Sequence, residues 1–187
     1  MRRKDDRKQQ NIKQAVIKLI LAEGFQGASI SKIAKEAGVS PATVYIYYDN
    51  KDAMLLDIYR EYYDEVDNYL GRQVKQEMTG EQFIESLIRA YYQYIMEYDE
   101  IFYFVEQFSS CPALNCRCKT KQDSSRLSHM LEDFKRQQVI KNVDNASINA
   151  IMFDPVKSIA IRYQGRSSEA DTMLDDLIKM IQDALLK

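Results

Sequence analysis

Six hydroxyl side chains and a lysine crowd one short stretch of the chain: Ser29, Ser31, Ser40, Thr43, Tyr45, Tyr47 and Lys51. Hydroxyls and an ammonium at helix starts suit hydrogen bonding to phosphate oxygens, which positions a ligand without breaking bonds. Groups suited to catalysis are scarce. The single histidine, His129, has only Asp133 as a carboxylate at helical spacing, and no glycine-rich phosphate loop occurs. Cys111, Cys116 and Cys118 are spaced C-x4-C-x-C, which fits the paired spacing of zinc sites poorly. No metal or cofactor is expected, and the chain does not read as an enzyme. A thiol- or metal-sensing loop is the alternative use of these cysteines.

A second concentration is aromatic. Tyr91, Tyr92, Tyr94, Tyr98, Phe102, Tyr103, Phe104 and Phe108 place 8 of the 20 aromatic residues within 18 positions. Core packing accounts for a stripe at helical spacing, but neighbours such as Tyr91 and Tyr92, or Phe102 to Phe104, cannot all face one side. The remainder could line a cavity for a small hydrophobic or aromatic molecule. The expected lining is Tyr91, Tyr92, Met96, Phe102, Tyr103, Phe104 and Phe108, completed by Met130 and Phe134 as a pliable wall.

The elements that must hold these groups are helices. Ile12, Ala15, Val16, Leu19 and Ile20 follow the i, i+3, i+4, i+7, i+8 pattern, predicting a helix over about 7–23 stopped by Gly24. Ser29 suits the N-cap of a brief helix with Ile30, Ile33, Ala34 and Ala37 on one side, ended by Gly38. Ser40 caps a third, with Pro41 at its first position and Val44 and Tyr48 facing inward. A long helix then runs from about Lys51 to near Gly71. Beyond Gly80, Phe83, Leu87, Ile88, Tyr91, Tyr94, Ile95 and Tyr98 form one stripe, and Ile101, Phe104, Val105 and Phe108 continue it after a break near Asp99. Residues 109–125 read as a loop. Further helices carry Leu127, Met130, Leu131 and Phe134, then Ile148, Ile151, Met152, Ile159 and Tyr163, then Leu174, Leu177, Ile178, Ile181 and Leu185. Pro155 predicts a kink or a late start in the second of these, and Gly165 its end.

Composition agrees with an all-α protein. Only 3 Pro and 6 Gly in 187 residues leave few sharp turns, and no strand alternation or repeat appears. With 45% apolar and 29% charged residues the chain is of globular type. The longest apolar run, Ile101 to Val105, is far too short to span a bilayer, and no signal-peptide h-region follows Met1, so a cytoplasmic protein without membrane partners is expected.

Two short helices meeting at Gly38, with Val39 and Ser40 between them, have the layout of a helix-turn-helix over about 29–48. The segment from Ile33 to Leu55, IAKEAGVSPATVYIYYDNKDAML, resembles the N-terminal DNA-binding domain of the TetR family of bacterial regulators. The likeness extends back through Ile12, Ala15, Leu19 and Gly24-Phe25, covering about the first 60 residues. It implies a DNA-binding domain over 6–66 and an effector-binding and dimerisation domain over 67–187. It also implies that the positions of Ser29, Ser40, Tyr45, Tyr47 and Lys51 are among those that touch DNA. The N-terminal residues of the third helix, Ser40, Pro41, Ala42 and Thr43, lie where base edges are read. None is a long Arg, Asn or Gln, so recognition falls to apolar contacts with thymine methyls, to the Thr43 hydroxyl and to DNA shape. Ala42 stands where the family commonly has Gly, so backbone approach there is less close.

The expected function is thus a ligand-responsive regulator, repressing at a palindromic operator and released by a small hydrophobic effector. It would act as a homodimer through its last two helices. A helical interaction protein that binds no DNA is the contrasting class. The overall charge of −2 conceals an asymmetry: residues 1–51 carry ten Lys and Arg against five Asp and Glu, a net of +5, and the other 136 residues a net of −7. A basic head on an acidic body suits a phosphate-bearing partner at one end.

Overall fold

The computed structural model describes residues 2–75, 77–109, 126–163 and 167–187. Among them are nine helices and no strand: α1 (Arg2–Gly27), α2 (Ile30–Glu36), α3 (Pro41–Tyr47), α4 (Lys51–Gln73), α5 (Gly80–Glu97), α6 (Asp99–Ser109), α7 (Arg126–Arg136), α8 (Asn145–Arg162) and α9 (Ser167–Leu185). Cys111, Cys116, Cys118 and Gly165, with the expectations attached to them, lie outside the described residues. No helix among those described is long and apolar enough to cross a membrane.

The helices gather into two compact units. The first comprises residues up to 64 together with 100–109. Its core takes Ile12, Val16 and Ile20 from α1, Ile33 and Ala34 from α2, Val44 from α3, and Met54, Leu55 and Ile58 from α4. Phe104 and Phe108 of α6 complete it. The first unit is thus discontinuous in sequence, because α6 returns to the N-terminal core. The reason is packing: the Phe108 ring stacks on Tyr59 with centroids 4.2 Å apart and meets Phe25 edge-on at 5.7 Å. The Tyr59 hydroxyl lies 3.1 Å from that of Ser109. Tyr62 in turn meets Phe104 edge-on.

α1 runs further at both ends than the apolar period predicts, but its backbone leaves the helical region at Gly24, with φ of 70°. The expected stop is there as a break, followed by one more turn. Inside the helix, Lys13 is buried, and its ammonium reaches the Glu61 carboxylate of α4 at 2.5 Å. A charge taken from water this far needs its partner.

The second unit comprises residues 65–99 and 126–187 among those described. α5 starts with a capping box: Thr79 accepts from the Gln82 backbone N–H, and the Thr79 N–H donates to the Gln82 side chain. Its stripe of Phe83, Ile84, Leu87, Ile88, Tyr91, Tyr94 and Ile95 is buried. α5 packs on α8 and α9, which in turn pack on each other. α8 begins at Asn145, where an Asp144 carboxylate oxygen accepts the Ala146 N–H at 2.8 Å, and continues through Pro155. The late start does not occur. The carbonyl that proline leaves without its helical N–H is that of Ile151, an exposed residue. Ile151 itself departs from the expected inward stripe, whereas Ile148, Met152 and Ile159 are buried.

Candidate nucleic-acid interface

The turn between α2 and α3 is built by three local devices. Ser29 adopts an extended backbone and its hydroxyl accepts from the Lys32 N–H at 3.3 Å. Ser40 does the same for α3, accepting from Thr43 N–H at 3.1 Å, and its hydroxyl lies 2.9 Å from that of Thr43. Each cap satisfies a helix-end N–H that would otherwise have no partner. Between them, Gly38 takes a φ of 66°, the left-handed region where a side chain is disfavoured. Its N–H bonds to the Lys35 carbonyl and that of Val39 to Ala34, which closes α2.

This geometry turns α3 inward on Val44, with Tyr48 buried just beyond its end. Burial pushes the Tyr48 hydroxyl pKa above its ordinary value. The outward side carries Pro41, Ala42, Tyr45 and Ile46, all exposed, flanked by half-buried Thr43 and Tyr47. Ser29, Ser31 and Ser40 are exposed as well. Eight of the nine residues expected to face DNA are thus exposed or half-buried on α2, α3 or their caps. The ninth, Lys51, is engaged otherwise: its ammonium donates to the Phe25 carbonyl. That contact ties the start of α4 to the last turn of α1.

Two residues escape the sequence reading. Ile46 is 77% exposed, the most exposed large apolar side chain among those described. An apolar residue in a short helix suggests core, and only its position opposite Val44 signals otherwise. Lys13 is the reverse case, a charge on the inward side of an amphipathic helix.

Ion pairs hold α2 against α1. Lys32 reaches Glu23 at 2.5 Å, and Lys18 pairs with Glu36, which raises the Lys18 pKa. Such exposed pairs contribute little stability individually.

The expected cavity lining is divided by the fold. Phe104 and Phe108 belong to the core of the first unit, and Phe102 and Tyr103 are on the same helix. Tyr91 and Phe134 are buried in the second unit, where Tyr91 meets Phe153 edge-on at 4.9 Å and Phe134 lies 4.8 Å from Phe83. Tyr92 and Met130 are half-buried there, and Met96 is exposed. The crowding along the chain thus resolves into two separate aromatic clusters, because the break at Tyr98 sends α5 and α6 to different cores. A cleft of about 250 Å³ in the second unit is lined instead by Ser128, His129, Glu132 and Asn145. There Glu132 accepts from Lys135 and Asn145, both at 3.0 Å, and these bonds hold its carboxyl below the ordinary pKa. Asp133, the carboxylate nearest His129 in helical spacing, pairs with Arg136.

Residues 12–58 match the family model described as bacterial regulatory proteins, tetR family. Among characterised proteins, the chain is similar to the fatty acid metabolism regulator protein of Bacillus subtilis (strain 168), 27% identical over 78 residues. That stretch is 42% of this chain, and it spans only 40% of that protein. An uncharacterised HTH-type transcriptional regulator of Haemophilus influenzae is 24% identical over 152 residues, 75% of this chain and 81% of that one. In three dimensions, the crystal structure of a TetR family transcription regulator from Marinobacter aquaeolei VT8 covers 100% of both chains, with a TM-score of 0.83 at 27% identity.

Proposed function

The chain is a member of the TetR family by its N-terminal domain, and from that premise we propose that it is a homodimeric repressor released from a palindromic operator by a small hydrophobic effector. One observation carries the reading. The Ser40 cap and the Gly38 turn hold α3 so that Pro41, Ala42, Tyr45 and Ile46 face outward from a segment with net charge +5. A helix presented this way fits the major groove, with Ser29, Ser31, Thr43 and Tyr47 reaching phosphates or base edges beside it. Lys51 acts from behind, bracing the end of α1 while its remaining ammonium protons can meet a phosphate.

Dimerisation supplies the second half-site. Ile151 and Ile161 on α8 and Met173 and Met180 on α9 are large apolar side chains exposed at 43, 55, 42 and 69%. Their burial against the same helices of a second copy joins two reading heads, whose spacing must match about one helical turn of DNA or a multiple. The effector site is assigned to the second unit, which holds Tyr91, Tyr92, Met130 and Phe134 of the expected lining. The likeness to a regulator named for fatty acid metabolism favours an acyl-chain effector class. Release requires that the effector bind the two states unequally, and a typical coupling of about 1–3 kcal/mol gives roughly 5–150-fold loss of operator affinity.

The test is selection of bound DNA from a random duplex pool by the full chain, followed by gel shifts with a panel of fatty acids and acyl thioesters. A palindromic consensus bound by a dimer, and weakened by a member of the panel, is expected. A chain that sediments as a monomer or enriches no sequence overturns the reading.

A further inference from the structure

We infer that Ile46, with Ala42 one turn before it, forms an apolar reading edge for thymine methyl groups, making Ile46 a specificity-determining residue of the head. The inference rests on the DNA-binding reading above and deepens it. Successive residues of a helix turn by roughly 100°, so with Val44 pointing inward Ala42 and Ile46 lie at roughly 160° and 200° from it. They occupy the middle of the outward face, while Pro41 and Tyr45 lie on one flank and Thr43 and Tyr47 on the other. Exposure agrees: Val44 is fully buried, Tyr45 is 55% exposed and Ile46 77%.

A single exposed apolar side chain is ordinary on a protein surface, but Tyr45 and Ile46 are adjacent and are the two large apolar side chains exposed among the described residues of the first unit. Charge selects the occupant. The segment carries net +5, and Thr43, Tyr45 and Tyr47 bring hydroxyls to the flanks of the face that holds Ile46, a setting suited to a polyanion. Ile46 has neither donor nor acceptor on its side chain. Among the groups on the major-groove edge of a base pair, the thymine C5-methyl is the one that is apolar. Spacing adds a constraint. Four residues of helix rise about 6 Å and base steps are about 3.4 Å, so Ala42 and Ile46 address positions about two steps apart.

The experiment uses the full chain and the operator duplex recovered from the random pool, with deoxyuridine replacing each thymidine in turn. This removes one methyl and leaves every hydrogen-bonding group. At one position per half-site, affinity is expected to fall by about fourfold, and by about fifteenfold with both half-sites substituted. Ile46→Ala should lose about as much on the thymine operator, and lose nothing further on the duplex with uracil at that position. Thermal unfolding of Ile46→Ala should match wild type, since the side chain is exposed. Losses that multiply at every position, or a methyl series without effect, overturn this inference alone and leave the DNA reading standing. A variant that binds as tightly as wild type but forms a smaller oligomer overturns it in favour of a protein contact. A pool that enriches no sequence removes the DNA reading and this inference together.

Discussion

The two compact units use their exposed surfaces in opposite ways. The first exposes hydroxyls, a proline and two small or apolar side chains on a face fixed by caps and a glycine turn, within a basic segment. The second belongs to the acidic remainder and exposes Ile151, Ile161, Met173 and Met180. In the first, the exposed face is set by backbone geometry from residues three or four apart in sequence. In the second, it is made of the apolar side chains that remain outside after α5, α8 and α9 have packed. A local device can be recognised from its residues, whereas a leftover surface is defined only by the whole fold.

The sharpest way to break this contrast is ionic strength. If the basic head carries binding and releases counterions from roughly eight phosphates across a dimer, operator affinity should fall on the order of 10⁴-fold between 50 and 200 mM salt. Fluorescence anisotropy on a labelled operator measures it, and a slope near zero would place binding outside the basic segment.

Next in size is Phe108→Ala. Phe108 is fully buried between Phe25, Tyr59 and Phe104, and a Phe-to-Ala change in such a core costs about 3–5 kcal/mol. Because α6 completes the first core, amide exchange should accelerate in α1 and α4, with α8 and α9 protected as before. Acceleration confined to α8 and α9 would assign α6 to the other unit.

Gly38→Ala tests the turn. No atom lies within 4 Å of an added Cβ, so the penalty is conformational, about 1–2 kcal/mol for an L-residue at positive φ. Chemical denaturation should show it as a lower midpoint with an unchanged slope. A neutral effect would mean that the turn relaxes without strain.

The smallest effect belongs to the second unit. Glu132 has its pKa lowered first by its bond from Lys135 and then by Asn145. A depressed carboxyl contributes stability above its unfolded pKa and loses it as pH falls through the folded one. Glu132 is exposed, so the contribution is slight. Glu132→Gln should flatten a small part of the acid destabilisation seen by thermal melts as pH falls from about 5 to about 2. An unchanged profile would show that the tie between α7 and the start of α8 carries no stability.

The same contrast explains what could be read in advance. Ser29, Gly38, Ser40 and Pro41 declare their roles through rules that need only near neighbours, and the structure has each of them in that role. Val44 and Tyr48 follow from the helical period. Phe104 and Phe108 do not: proximity to Tyr91 along the chain suggests a shared cavity, and only the turn at Tyr98 redirects them to another core. Lys13 is misleading for a related reason, since its partner Glu61 stands 48 residues away. Pro155 lies within a helix that continues past it, an outcome local sequence does not reveal.

The hydroxyl of Ser40 has two obligations. It holds the first turn of α3 by accepting the Thr43 N–H, and it is exposed beside the face proposed to read DNA. Any change there disturbs folding and recognition at once, so selection cannot adjust one without the other. Ala42 and Ile46 carry no such dual duty in the turn. Drift toward a new target sequence is therefore open at the centre of the face and closed at its rim, and related proteins with the same turn can diverge in what they read while keeping how they hold the reader.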